Sequence, residues 1–298
     1  MDRKQEKTMF KRSQHVSSKY VCGLVVAIIV LAAIGAAPRP ALCGGMNAAQ
    51  VLAHPEMLHK RIKAGNPEYN DQAQFAQVKN LGLVGDFTGS RISDLSPLAG
   101  IPFNALDLRG QPISDLRPLK IMPLTFLGIE DTKVADVSPL TGMRLSKLYL
   151  SNTPVSDLRP LASMPLNELM LVGTRVHDLA PLRGSPVGTL WLNNTPVSDI
   201  APLSGCRLVS LTLEGTNVAD LTPLAKMTSL KRLNIGRTPV TDLTPLKGLK
   251  LERLVFTPGS IRKGLDAARN MKTLTEVGTT LDALMPPQEF WKRYDGKQ

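Results

Sequence analysis

Several residue types are scarce in this chain, and each scarcity removes a class of function. It holds 3 cysteines among 298 residues, Cys22, Cys43 and Cys206. That is too few for a disulfide framework or a cysteine-built metal site. Aromatic residues make up only 4%, so the core must be aliphatic. Histidines number 4. His54 and His59 flank Glu56 in the order His-Pro-Glu-Met-Leu-His, which is not the His-Glu-x-x-His of zinc proteases, and both read as solvated helix histidines. His177 precedes Asp178, but at a slot that Ser156 and Ala135 fill elsewhere; it is a poor acid–base pair. A Gly-rich phosphate loop, a Val-Ala-Ile-Lys strand and a His-Arg-Asp loop are all missing, which excludes a kinase. No serine or cysteine has a base placed beside it, so no catalytic residue is expected, and no cofactor.

Nucleic-acid binding is excluded on distribution. The net charge is +11, but residues 1–20 alone carry Arg3, Lys4, Lys7, Lys11, Arg12 and Lys19 against Asp2 and Glu6, a local +4. The rest is diffuse, with no basic run interleaved with aromatics.

What is abundant is leucine at a fixed spacing. Phe103, Leu124, Leu145, Leu166, Val187, Leu208, Leu230 and Leu251 each open a unit, 21 residues apart except for one step of 22. The rule is L-x-x-L-x-L-x-x-T-x-V-x-D-L-x-P-L-x-x-M-P. Self-similarity at such a period predicts a solenoid, in which one unit cannot bury its apolar face alone. The alternation Leu148, Tyr149, Leu150 has period two, predicting one short strand per unit and eight strands in a parallel sheet. Thr132, Thr153, Thr174, Thr195, Thr216 and Thr238 fall where the strand turns away, with Gln111 in the first full unit. Their hydroxyls are expected to form a ladder through the stack. Asp94, Asp115, Asp136, Asp157, Asp178, Asp199, Asp220 and Asp242 each have proline within the next three residues, the pattern of a capped short helical turn. Eight stacked carboxylates could also bind calcium, but the capping role already uses them, so no metal is expected. Cys206 takes the slot of Met143, Met164 and Met227 and reads as a small buried apolar residue.

The termini complete the plan. Residues 21–37, which begin at Val21 and finish at Ala37, are uncharged and apolar behind a basic segment. This is the layout of a secretory signal, cleaved after Ala37 or Cys43. At about 1.5 Å per residue it nearly spans a bilayer, so an uncleaved single-helix membrane anchor is the alternative. A lipid-anchored Cys43 is disfavoured by Leu42 before it. In each case the repeats lie outside the cytoplasm. The expected domains are residues 1–45 as signal and linker, 46–80 as helical entry cap, 81–257 as repeats and 258–298 as C-terminal cap. The entry helix should break at Pro55, with Phe75 and Val78 covering the first repeat. At the other end Ser260 should cap a helix over residues 261–270, and Phe290 and Trp291 should close the last repeat.

Outward strand positions should build a concave partner-binding face. Its centre is Tyr149, Met170 and Trp191 in successive units, with Phe126, Lys147 and Glu168 on one side and Glu130 and Asn193 on the other. Tyr and Trp are enriched at binding hot spots; mutual shielding of neighbouring strands is the competing explanation.

The motif Leu-x-x-Leu-x-Leu-x-x-Thr-x-Val-x-Asp-Leu-x-Pro-Leu resembles bacterial leucine-rich repeats of the internalin type over residues 81–257. Threonine stands where that family usually carries asparagine. The Asn-Pro-x-Tyr-Asn entry, the Met-Pro-Leu junctions and the Phe-Trp-Lys tail are similar to exported repeat proteins of planctomycete-type bacteria. The resemblance implies an α/β leucine-rich-repeat solenoid with helical caps. It also implies a non-enzymatic exported monomer that binds a protein or glycan, or serves as a membrane-anchored envelope scaffold.

Overall fold

The computed structural model describes residues 46–296. Residues 21–37, expected as a cleaved signal or alternatively a membrane anchor, lie outside them. Among the described residues no helix is long and apolar enough to cross a membrane.

The backbone is one sheet in strict chain order. Its strands are β1 (Gln74–Val78), β2 (Gly82–Asp86), β3 (Phe103–Asp107), β4 (Phe126–Gly128), β5 (Lys147–Tyr149), β6 (Glu168–Met170), β7 (Thr189–Trp191), β8 (Ser210–Thr212), β9 (Arg232–Ile235), β10 (Arg253–Phe256) and β11 (Glu276–Gly278). The repeat predicts eight strands, and the sheet has eleven. Strand β1 runs antiparallel to β2 as a hairpin, and β11 adds to β10 beyond the last repeat. The parallel register puts like on like: Leu148 lies between Leu127 and Leu169. These leucines are fully buried, in a core that each unit shares with the next.

Away from the sheet, each unit returns through a 3-10 turn such as Arg159–Leu161. All eight aspartates accept a hydrogen bond from the amide two residues on, at 2.7–2.9 Å. This Asx-type bond satisfies one of the free donors that open the turn. In Asp115 and Asp157 the neighbouring Arg117 and Arg159 side chains also hold the carboxyl below its ordinary range.

The threonine ladder does not form. Each of the six hydroxyls donates to the carbonyl three residues back in its own unit, at 2.6–2.8 Å. A hydroxyl at this depth reaches its own strand end before it reaches a neighbour. Units are joined there by backbone instead, as in Lys133 N–H to Ile113 C=O at 2.9 Å. Gln111 is the exception, its longer side chain accepting from Ile92 N–H of the preceding unit at 2.9 Å. Thr153→Val keeps the shape and removes one buried hydrogen bond. We expect a loss of about 1 kcal/mol, read as a lower urea midpoint; an unchanged midpoint would show the bond to be inert.

Helices α1 (Ala48–Ala53) and α2 (Pro55–Gly65) close the first end, divided at Pro55 as the sequence predicts. Asn66 fixes them to the repeats: its carbonyl oxygen accepts from Ser93 and Asp94 N–H at 2.7 and 2.8 Å. His59 is not simply solvated. It is half-buried, 2.6 Å from the Tyr69 hydroxyl, whose pKa burial pushes up to about 12. Phe75 packs between His59, Phe87 and Phe103.

At the other end the predicted 261–270 helix is shorter. Ser260 ends a 3-10 turn, and α3 covers only Leu265–Arg269 because Gly264 before it is left-handed, at φ 73°. Helix α4 (Pro287–Asp295) places Phe290 and Trp291 against Phe256, with ring centroids 5.8 and 6.2 Å away. Cys206 is buried, its thiol donating to Leu182 C=O at 3.3 Å.

Candidate functional site

Side chains at the outer positions of β3 to β10 point away from the main core. The central column reads Asp107, Gly128, Tyr149, Met170, Trp191, Thr212, Asn234 and Val255. Strand alternation predicts these groups to be exposed. Instead Tyr149 is 1% exposed and Met170 4%, while Trp191 is half-buried. The reason is spacing: parallel neighbours stand only about 4.8 Å apart, so large side chains in successive units cover one another. Tyr149 meets Phe126 edge to face at 5.2 Å. Ala105, Phe126, Tyr149 and Met170 form a second apolar cluster, separate from the main core, with Leu81, Val84 and Trp191 packed on its edges.

Charged and polar groups border this ridge. Lys147 and Glu168 pair across β5 and β6 at 3.1 Å. The Tyr149 hydroxyl faces Glu168, and burial raises its pKa well above the ordinary tyrosine value. Further along, Asn193 donates to Glu214 at 3.3 Å and accepts from the Thr212 hydroxyl. Glu214 also takes a bond from Asn234 at 3.0 Å and pairs with Arg237 at 3.0 Å.

The N-terminal side of the ridge is acidic. Asp107 is buried and holds Arg109 through a bidentate ion pair. Glu130 is 6% exposed, and its Oε2 has no hydrogen-bond partner. Burial pushes the Glu130 carboxyl up to about 7; Arg109 draws it partly back, and Asp107 and Asp131 push it further up. Strand alternation places Glu130 on the border of the face without marking its burial. The available signal was Gly128, the one residue without a side chain in the central column, which opens the space that Glu130 fills.

The residues expected at the site thus fall into two groups. Phe126, Tyr149, Met170 and Trp191 are in one apolar cluster, with Lys147, Glu168 and Glu130 around it. Asn193 belongs to a polar network on the C-terminal side. Among the described residues no group of three or more His, Cys, Asp or Glu is placed to hold a metal ion, and His177 is exposed.

No family model matches the chain, and no curated protein matches it. Solved structures do. Internalin C2 of Listeria monocytogenes is similar over 67% of this chain and 92% of its own, at 25% identity and a TM-score of 0.55. A leucine-rich-repeat protein of Leptospira interrogans is similar over 61% of this chain and 56% of its own, at 18% identity and a TM-score of 0.48. With one 21-residue frame, one chain-ordered sheet and the likeness to internalin C2 together, the chain is a leucine-rich-repeat solenoid.

Proposed function

We propose that the chain is an exported, non-enzymatic repeat protein that binds a protein partner through its concave sheet face, centred on Phe126, Tyr149, Met170 and Trp191. The observation that carries this is the second apolar cluster. The fold does not require it, since Asp107, Thr212 and Asn234 occupy the same column without disturbing the sheet. A ridge of large apolar groups, rimmed by charge, has the composition of an interface core and its rim. Export rests on the apolar run over residues 21–37. Mass spectrometry of the mature N-terminus tests it: a start after residue 37 or 43 supports a cleaved signal and ends the anchored-scaffold alternative.

The surface itself is tested with Trp191→Ser, at the half-exposed edge of the ridge, and with the triple variant Tyr149→Ser, Met170→Ser, Trp191→Ser. Proteins retained from the extracellular fraction by the immobilised parent chain should be retained at least tenfold less by Trp191→Ser, a loss of about 1.4 kcal/mol. Circular dichroism confirms that the variant is folded. Equal retention by both variants would remove the concave face as the site.

A further inference from the structure

We infer that the side of the solenoid leading into the strands is a docking surface for a bilayer of anionic phospholipids, held by a row of unpaired Lys and Arg. This lies beyond the concave-face reading and does not depend on it. Charge that is diffuse along the sequence is sorted by the repeat. The seven connections that run from a 3-10 turn into β4 to β10 hold eight Lys and Arg against one acid, Glu252. The seven that leave β3 to β9 for the next 3-10 turn hold ten Asp and Glu against four Lys and Arg. In a parallel sheet the first set meets one end of every strand and the second set the other, so they form opposite sides of the stack. On the basic side neighbouring connections are bonded directly. Val209 N–H donates to Gly188 C=O, Lys231 N–H to Val209 C=O and Glu252 N–H to Lys231 C=O, at 2.7–2.9 Å.

The two sides differ in what the fold does with the charge. Seven of the ten acids are aspartates that hold a turn amide. Of the eight cations, Lys231 pairs with Glu252 at 3.1 Å. The other seven are exposed and make no ion pair among the described residues. Arg183, Arg207, Lys226, Lys247 and Lys250 come from four successive connections. Units stand about 4.8 Å apart, inside the screening length of about 8 Å. These charges therefore repel one another and return nothing to the fold. A flat anionic surface laid along the row offsets that repulsion at every unit. The row is not purely charged either. Among the described residues, the exposed large apolar side chains of the repeats are Ile121, 77% exposed, and Val209, 38%. Both stand in these same connections. An acidic polymer would use the cations and gain nothing from Ile121, whereas a lipid interface takes both.

The test places a reporter on the row. The full chain carrying Ile121→Trp is mixed with vesicles whose acyl chains are brominated, a short-range quencher of tryptophan. Vesicles of phosphatidylcholine with phosphatidylglycerol should quench the added tryptophan, and vesicles of phosphatidylcholine alone should not. Parent fluorescence, from Trp191 on the concave face and Trp291 in the cap, should change little with either. Because the quencher must touch the reporter, the readout holds whether or not residues 21–37 also insert. Adding Arg183→Glu, Arg207→Glu, Lys226→Glu and Lys247→Glu should remove the quenching, an affinity loss of at least a hundredfold at about fivefold per charge. Circular dichroism confirms that the variants are folded. Quenching that persists in the charge-reversed variant, or equal quenching by phosphatidylcholine alone, would overturn the docking surface. So would no quenching by either vesicle, and charge-dependent binding to soluble polygalacturonate would then assign the row to an acidic polymer. Partner retention that depends on Trp191 would stand in any of those cases, so the two readings fail separately.

Discussion

Gly264→Ala should loosen the C-terminal cap while the central repeats stay folded. Gly264 sits at φ 73°, and a Cβ there would lie 2.2 Å from Thr244 N and 2.6 Å from Leu243 C. Both obstacles are backbone, and they are fixed. Leu243 N–H bonds Lys263 C=O at 2.9 Å, and Arg262 N–H bonds Thr241 C=O at 2.8 Å, so the segment before α3 is paired to the unit opened by Leu230. The left-handed conformation costs an alanine roughly 1–2 kcal/mol. Displacing the paired backbone adds about 1–3 kcal/mol. The movement should not stop at α3, because Arg269 ion-pairs with Asp295 at 2.7 Å and lies 4.8 Å over the Trp291 ring. Helix α4 would follow, uncovering Phe256. The chain has 2 tryptophans, so in a Trp191→Phe background fluorescence reports Trp291 alone. A red shift at a urea concentration well below the loss of sheet circular dichroism is the expected result. Coincident transitions at the parent midpoint would show that the loop absorbs the methyl group.

Glu130 provides the second large effect. Its folded-state pKa of about 7 lies above the ordinary glutamate value. Below pH ~4.3 the group is protonated in both folded and unfolded chains and costs nothing. As pH rises the unfolded chain ionises first, and the native state loses relative stability until pH passes about 7. Above that the loss levels off at about 3 kcal/mol. Glu130→Gln removes the ionisation and keeps the size. It should therefore be more stable than the parent chain at pH 8 by up to about 3 kcal/mol, with the difference vanishing near pH 4. Urea unfolding at the two pH values measures this. A pH-independent difference would mean that Glu130 is solvated in the native state.

The legible part of the fold was the part that repeats. Leu148, Asp157 and Pro160 recur at one spacing, and period-two alternation within a unit needs no long-range information. The break at Pro55 and the closure by Phe290 and Trp291 were also legible, because a single residue type decides each. What escaped the sequence involves pairing between segments that share no frame. Strand β1 is Gln-Phe-Ala-Gln-Val, a weak alternation that becomes a strand only because β2 offers an open edge. The helix expected after Ser260 is cut short by Gly264, whose backbone is set by contact with Thr244. The threonine ladder is missing because each hydroxyl is taken by a carbonyl of its own unit, a local choice that spacing does not encode. At the candidate site, alternation assigned Tyr149 and Met170 to the outer face correctly. It could not give their exposure, which depends on what stands in the adjacent units. The eighth residue of a unit also carries a signal: Gly110, Asp131, Asn152, Gly173, Asn194 and Gly215 are left-handed, as is Arg237, and six of these seven are glycine, asparagine or aspartate, the types that tolerate it.

The hydrogen bonds of the threonines and aspartates close inside their own units, and this bears on how such a chain can change length. Removing or duplicating one complete unit would leave each of these bonds intact, and every new junction would meet leucine with leucine. The stack is thus free to grow or shrink by whole units at little cost to folding. The concave ridge has no such freedom. Phe126, Tyr149, Met170 and Trp191 touch only because they come from four consecutive units, and an inserted unit between any two of them would part the row by about 5 Å. Copy number is therefore constrained at the middle of this protein by contact between specific neighbours, and toward its ends chiefly by the need to keep a fitting cap.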